Sequence, residues 1–430
     1  MNRREFMKNS TAAGAMIGLP AIIPSTSLGK DGAAAPSDRA AIGVIACGNR
    51  ARYAGKYKQY ARSEVVAVCD PIDWRRLHFK KSFGNCKDYV DFRDLLARKD
   101  VDAVHIATAD HWHVPIALMA AKAGKDMYTE KPLGISIAHD LESRKIVDKY
   151  KRVFQYGAQQ RSQVYSRMGI ELVLNGHIGE VKEILVKCPK GHSGGSGQPV
   201  MPVPKGVDYD LWCGPAPKKP FNPNRFHYKW HWYWDYGNGE IGNNGPHVVD
   251  IAIQGLGRES VLPVKIASHG GRFAWNDQAE TPNTQLTSYQ YDDGTVLTLD
   301  VRNLASNKEA GIGKGVIFYG SKGYLIMRLN GHYETVIDGE PGPKGSGGGA
   351  HSELIANFYD VVRSRNPSDL LAPIEGGHIG AALCHLGNIS YRLGRSLDFG
   401  PKTETFGNDA EANALLTREY RPPYVMPERI

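Results

Sequence analysis

No stretch of this chain approaches 18 consecutive apolar residues, so nothing in it reads as a transmembrane helix. Cysteine is sparse. Cys47, Cys69, Cys86, Cys188, Cys213 and Cys384 form no C-x-x-C pair, which excludes a disulfide framework and the common zinc spacings. H-E-x-x-H is absent too. A metal would have to gather His111, His113, His227 and His231, which no motif joins, so no metal site is expected. The net charge is +8, but no long basic block or stripe carries it, and a nucleic-acid partner is not expected. Internal repeats are also missing.

The chain begins "MNRREFMKNSTAAGAMIGLP". Arg3 and Arg4 stand side by side before a modest apolar run that Gly and Pro interrupt, and Ala33 to Ala35 offer a small-residue cleavage site. This pattern reads as a twin-arginine leader, taken up by machinery that exports folded proteins. It implies a periplasmic or otherwise exported protein with no stable membrane anchor. The leader is assigned to residues 1–35.

From Ala40 onward, apolar strand-like runs alternate with helical patterns. "AAIGVIACGN", "SEVVAVCD", "VDAVHIAT", "KDMYTEKP" and "RVFQYGAQ" predict five strands. The helix "VPIALMAAKAGK" has Pro115 near its start and Gly124 at its end. Such alternation predicts a doubly wound parallel sheet, assigned to residues 36–160. After about Arg161 the pattern changes. "SRMGIELVLNGHIG" reads as a helix. "TQLTSYQYDDGTVLTLDVRN" and "GVIFYGSKGYLIMRL" read as hairpins turning at Asp293–Gly294 and Ser321–Lys322. Gly345 to Gly349 read as a flexible loop, and "HSELIANFYDVVRS" and "GGHIGAALCHLGNISYRLG" as helices. Residues 161–430 are assigned to a second domain.

The first strand runs into "IACGNRARYAG". At the fingerprint positions G-x-G-x-x-G stand Ala46, Gly48 and Ala51. Only the middle glycine, which lets backbone approach a pyrophosphate, is kept. Alone, this segment also fits a small-residue strand-to-helix turn. Asp70, ending the second strand about 20 residues on, is placed to hydrogen-bond ribose hydroxyls. Together they point to a dinucleotide. Asp70 favours NAD over NADP, although Arg75 and Arg76 lie close by.

"TADHWHVP" and "TEKPLG" follow the third and fourth strands, at the carboxyl edge where open α/β sheets bind ligands. Lys131, between an apolar strand and Pro132, is placed for proton transfer with a substrate hydroxyl, because burial lowers a lysine pKa. His247 lies near the start of the helical pattern "PHVVDIAIQGL", where a capping or structural role fits equally. "NRFHYKWHWYWDYGNG" holds His227, Tyr228, Trp230, His231, Trp232, Tyr233 and Trp234. A sugar-pocket wall and a half-buried core strand both fit this composition.

The fingerprint loop, Thr108 to His113, "EKP" at Glu130 to Pro132, "IGEV" at Ile178 to Val181 and the G-x-H-x-x-D of Gly245 to Asp250 follow in order. This succession resembles the glucose–fructose oxidoreductase / inositol dehydrogenase / rhizopine catabolism (Gfo/Idh/MocA) family over most of the chain after the leader. "DYDLWCGPAPKKPFNPNRFHYKW" and "WDYGNGEIGN" resemble its exported bacterial branch. The resemblance implies a Rossmann domain, then an α+β domain with a large, mostly antiparallel sheet. It implies NAD(P)-dependent oxidation or reduction of a sugar, glycoside or cyclitol, and a homo-oligomer. By position it makes Lys131 and His247 catalytic. Gly48, Asn49, Arg50, Asp70, Asp110, His111, Trp112, His113, Glu130, Lys131 and Gln159 would contact the cofactor. Arg161, Asn243, His227 and Trp230 would face substrate. Many members carry an aspartate where Asn243 stands, and an amide is no base. An NAD-dependent glycosidase working by transient oxidation, elimination, hydration and re-reduction shares these features. A non-catalytic sugar-binding protein with a vestigial nucleotide site is the alternative of another class.

Overall fold

Strands buried on both faces are expected where helices cover a sheet on both sides, and a six-stranded sheet of this kind forms the first layer here. The structure is a computed structural model that describes residues 39–424 apart from 60–62, 190–191, 274, 303–311, 330 and 350. The leader lies outside the described residues. The first sheet comprises β1 (Ala40–Ile45), β2 (Ser63–Cys69), β3 (Lys87–Tyr89), β4 (Ala103–Ile106), β5 (Asp126–Glu130) and β6 (Phe154–Gly157). All pairings are parallel, in the order β3-β2-β1-β4-β5-β6. Its crossovers include α1 (Asp73–Ser82), α2 (Phe92–Leu96), α3 (Asp110–Lys122) and α4 (Ile137–Tyr150). The expectation of five strands missed β3, a three-residue edge strand without an apolar run. After the phosphate loop the chain makes a 3-10 helix, Ala51–Gln59, instead of an α-helix.

The second sheet has nine strands. After α5 (Val164–Leu174) come β7 (Val181–Cys188), the short helices α6 (Tyr209–Cys213) and α7 (Gly239–Asn243), and then α8 (Gly245–Gly255). The chain continues through β8 (Lys265–Gly271), β9 (Thr284–Gln290), β10 (Val296–Arg302), β11 (Gly315–Gly320), β12 (Gly323–Arg328), β13 (His332–Ile337) and β14 (Glu340–Ser346). The order is β14-β13-β12-β11-β7-β10-β9-β8 with a two-residue β15 (Leu397–Asp398) at the edge. Only β7 and β10 run parallel. The two expected hairpins are β9–β10 and β11–β12. Gly345 and Ser346 belong to β14, so the loop expected from Gly345 begins two residues later. The aromatic stretch is not a strand. It makes two 3-10 turns, Pro223–Arg225 and Lys229–Trp232.

Two helices close the cores. α9 (His351–Ser364) contributes Leu354, Ile355, Phe358 and Val361 to the core of the first sheet, nearly 200 residues after β6. α10 (Ile374–Leu393) packs with α8 over the second sheet through Ile379, Leu383 and Leu386. Among the described residues no helix is long and apolar enough to cross a membrane.

β1 ends in a tight reversal. Ala46 takes φ +73°, the left-handed conformation glycine adopts without penalty. Its N–H bonds the Cys69 carbonyl at 2.8 Å. Alanine is the smallest side chain that meets this demand, which explains how the loop does without the first fingerprint glycine. Ala46→Val, β-branched at positive φ, is expected to lower unfolding free energy by about 2 kcal/mol in urea titration.

Candidate active site

The carboxyl ends of β1, β2, β4 and β5 open into a cavity of about 820 Å³. Asp70 stands at one end of its lining, where β2 stops. Its Oδ2 accepts the Cys47 N–H at 2.6 Å and its Oδ1 the Ile72 N–H at 2.8 Å. The carboxylate thus fixes the backbone of the loop after β1. Burial pushes its pKa up, against the two N–H groups and the nearby arginines. Gly48 lines the cavity, and a Cβ there would meet no protein atom within 4 Å. A side chain at this position would occupy ligand space instead. Arg76 is engaged by Asp73 at 2.8 Å and Asp88 at 2.9 Å, whereas Arg75 lines the cavity and contacts His227 Nδ1 at 3.0 Å.

At the ends of β4 and β5 stand Thr108, Asp110, Glu130 and Lys131, all lining the cavity. Thr108 Oγ1, Asp110 Oδ2 and Glu130 Oε1 are buried without a hydrogen-bond partner among the described residues. Buried polar atoms are nearly always paired, so three orphans on one wall mark a surface shaped for a polar ligand. Glu130 Oε2 accepts from Arg50, Nε at 3.0 Å and Nη2 at 2.9 Å. Lys131 Nζ donates to the Asn243 carbonyl at 2.7 Å and to Asn243 Oδ1 at 3.1 Å. Loss of water around this ammonium, helped by the Arg50 charge, pushes its pKa down to about 8. Burial pushes the Asp110 carboxyl up, opposed by Lys131.

α8 brings His247 to the cavity, with its Nδ1 3.2 Å from the Gln159 side-chain nitrogen. The aromatic stretch divides. His227, Tyr228, Trp230 and His231 line the cavity, while Phe226, Tyr233 and Tyr236 pack in a small core with Tyr209 and Trp212. Wall and core readings therefore hold for different residues of one segment.

Of the residues singled out from sequence, Gly48, Asn49, Arg50, Asp70, Asp110, Trp112, Glu130, Lys131, His227, Trp230, Asn243 and His247 line one cavity. Gln159 touches two of them, Arg50 and His247. His111 and His113 point elsewhere. His111 Nε2 meets the Trp212 carbonyl at 3.1 Å. His113 bridges the ends of β4 and β5, Nδ1 to the Pro132 carbonyl at 2.7 Å and Nε2 to the Thr108 carbonyl at 3.2 Å. Burial lowers both rings to about 4. Arg161 is not on the cavity wall; it is buried against Asp250 at 2.6 Å and Glu259 at 2.6 Å. Among the described residues no three His, Cys, Asp or Glu side chains converge on a metal position. Sequence reasoning missed Lys314, which bonds Asn244 Oδ1 from 70 residues away. Asn244 in turn bonds Glu240, which meets His192 at 3.1 Å. No local motif announces Lys314.

Comparisons agree with this architecture. The family model described as "Oxidoreductase family, NAD-binding Rossmann fold" (GFO_IDH_MocA) matches residues 40–158. Its companion, "Oxidoreductase family, C-terminal alpha/beta domain" (GFO_IDH_MocA_C2), matches residues 186–426. A glycosyl hydrolase family 109 protein of Shewanella pealeana is 28% identical over 208 residues, 42% of this chain and 44% of that protein. An inositol 2-dehydrogenase of Salmonella typhimurium is 34% identical over 103 residues, 23% of this chain and 30% of that protein. The chain thus spans less than half the length of these curated relatives. The WlbA dehydrogenase of Bordetella pertussis, solved with NADH and UDP-GlcNAcA, superposes with a TM-score of 0.65 at 17% identity, covering 84% of this chain and 99% of that one. At that identity the likeness is one of fold.

Because Arg161 is clamped inside the protein, Asp250→Ala is expected to strand a buried guanidinium. The unfolding free energy should fall by about 3–5 kcal/mol in urea titration.

Proposed function

The chain belongs to the Gfo/Idh/MocA oxidoreductase family, and from that premise we propose that it oxidises a hydroxyl-bearing carbon of a sugar, glycoside or cyclitol, or reduces the corresponding carbonyl. One observation carries the reading. Lys131, with its pKa lowered to about 8, and His247 line the same cavity as Gly48 and Asp70. The cavity fits a dinucleotide, since Gly48 leaves room for phosphates and three orphaned polar atoms await partners. NAD, when bound, supplies the two-electron hydride acceptor. Gly48 and Asn49 would lie along its phosphates, Asp70 would hold the adenosine ribose, and Arg50, Asp110, Trp112 and Glu130 would line its bed. His111 and His113 shape the bed from behind.

Lys131, neutral above its lowered pKa, takes the hydroxyl proton in oxidation and returns it in reduction. Asn243 fixes the amine by accepting two hydrogen bonds, a task that needs no carboxylate. Trp230, Tyr228 and His227 offer ring faces and polar tips to a sugar.

A redox-neutral glycoside cleavage is the second reading, favoured by the family 109 glycosyl hydrolase relatives. The leader supports it further. Export of a folded protein would carry its nucleotide along, and a retained cofactor suits chemistry that restores it. Export by the twin-arginine machinery and a periplasmic location rest on Arg3 and Arg4. A homo-oligomer rests on the family likeness alone.

Mass spectrometry of nucleotide released by denaturation, then a glycoside and polyol panel, tests the proposal. Net NADH indicates a dehydrogenase, and released aglycone without net NADH a glycosidase. Lys131→Met is expected to lower turnover by at least about 100-fold. In the wild type, kcat/KM for oxidation should rise with pH, reach half its maximum near 8 and level off above it, because the base must be unprotonated. Lys131→Met should lose that limb, and wild-type rates in the variant would remove Lys131 from the chemistry. Asp70→Ala should weaken NAD binding about tenfold or more in calorimetry.

A further inference from the structure

We propose that Gln159 is a positioning residue that holds the proton of the His247 ring on Nε2. His247 then meets substrate as a hydrogen-bond donor, and Lys131 alone accepts the proton. The inference deepens the reading above and rests on it for its chemical meaning.

The arrangement begins at Glu130. Its Oε2 holds the Arg50 guanidinium through Nε at 3.0 Å and Nη2 at 2.9 Å. Arg50 Nη2 also reaches the Gln159 side chain, at 3.4 Å from Oε1. A guanidinium has donors only, so the Gln159 atom facing it must be the oxygen. The amide NH2 is then turned to His247 Nδ1, 3.2 Å away. An amide nitrogen donates and does not accept. His247 Nδ1 is therefore the acceptor, and a neutral imidazole must carry its proton on Nε2.

The placement is held from the backbone. Gln159 opens the 3-10 turn Gln159–Ser162. Arg161, two residues on, forks onto Asp250 with Nε at 2.9 and 3.0 Å and Nη2 at 2.6 Å. Asp250 follows His247 by three residues on α8, on the same side of the helix. The ion pair thus clamps the turn that carries Gln159 to the helix that carries His247. Asn243 cannot take over the task, because its side chain accepts from Lys131 at 3.1 Å and donates to Tyr228 Oη at 3.3 Å.

The consequence divides the labour. In oxidation the hydroxyl proton passes to the Lys131 amine, which becomes ammonium. His247 keeps its own proton and strengthens its hydrogen bond as the oxygen gains carbonyl character. In reduction the ammonium returns the same proton.

The test reads the ring directly, without substrate. Full-length protein labelled with 15N-histidine is examined by nitrogen-15 NMR, with the His247 signals assigned by their loss in His247→Gln. The expected wild-type pattern is an unprotonated Nδ1 and a protonated Nε2. Gln159→Glu replaces the donor with an acceptor, so the proton should move to Nδ1 and the ring should titrate about one pH unit or more higher. Gln159→Met, with no donor, should give a mixture of tautomers. A loss of stability alone would leave these signals unmoved. A wild-type ring protonated on Nδ1, or a Gln159→Glu ring with unchanged tautomer and titration, overturns the proposal. Because no turnover is measured, this result stands apart from the Lys131→Met assay, which decides the catalytic reading.

Discussion

An ammonium withdrawn from water at the carboxyl edge of a covered sheet has to be answered locally, and the site is built around that demand. Lys131 finds both oxygens of Asn243, which arrive from the other sheet's helices. Asp110 and Glu130 oppose the cost of its charge, while Arg50 and Lys314 add to it. The balance leaves an amine that changes protonation near neutrality. Asp110 opens α3, where a helix dipole favours its charge, yet burial pushes its carboxyl toward the neutral form. Each group acts on the other: the Lys131 charge pulls the Asp110 carboxyl down, and Asp110 pulls the Lys131 ammonium up. Both sheets are needed to make this arrangement, so the chemistry belongs to neither layer alone.

The same physics governs what could be read from the chain. β1, β2, β4, β5 and β6 are buried along most of their length, and the apolar residues of β1, β2 and β4 show it most plainly. β9 and β10 alternate, as strands with one wet face do. β3 has only three residues, none buried, and leaves no pattern. Gly48, Asp70 and Lys131 could be placed on the cavity from the sequence because each sits at the end of a parallel strand. The stretch from Asp110 to His113 was legible only as a block. Asp110 and Trp112 line the cavity, while the rings of His111 and His113 are taken up by backbone carbonyls behind it, a division that helical spacing does not announce. Lys314 was invisible, since its partner Asn244 lies in a distant element.

Two departures from expectation share a cause. The aromatic segment is neither strand nor simple pocket wall, because short 3-10 turns send successive rings in different directions. One side builds the core around Trp212 and the other faces the cavity. The family resemblance placed Arg161 in the pocket. In three dimensions its length lets it cross to Asp250, and the position serves orientation instead of contact.

α9 has a further consequence, which concerns the order of synthesis. The last strand of the first sheet is completed from far downstream. Gln155 of β6 donates to the Leu354 carbonyl at 3.1 Å and to Asn357 at 2.9 Å, and its Oε1 accepts the Ala372 N–H at 3.2 Å. Asp126 of β5 receives Arg365 in the same way. A ribosome that has made only the first 160 residues has therefore made a sheet with one flank bare. The hydrogen bonds that complete this flank form only once residues near 372 have been made, late in translation. The flank of the first sheet is thus finished by a segment from the last fifth of the chain.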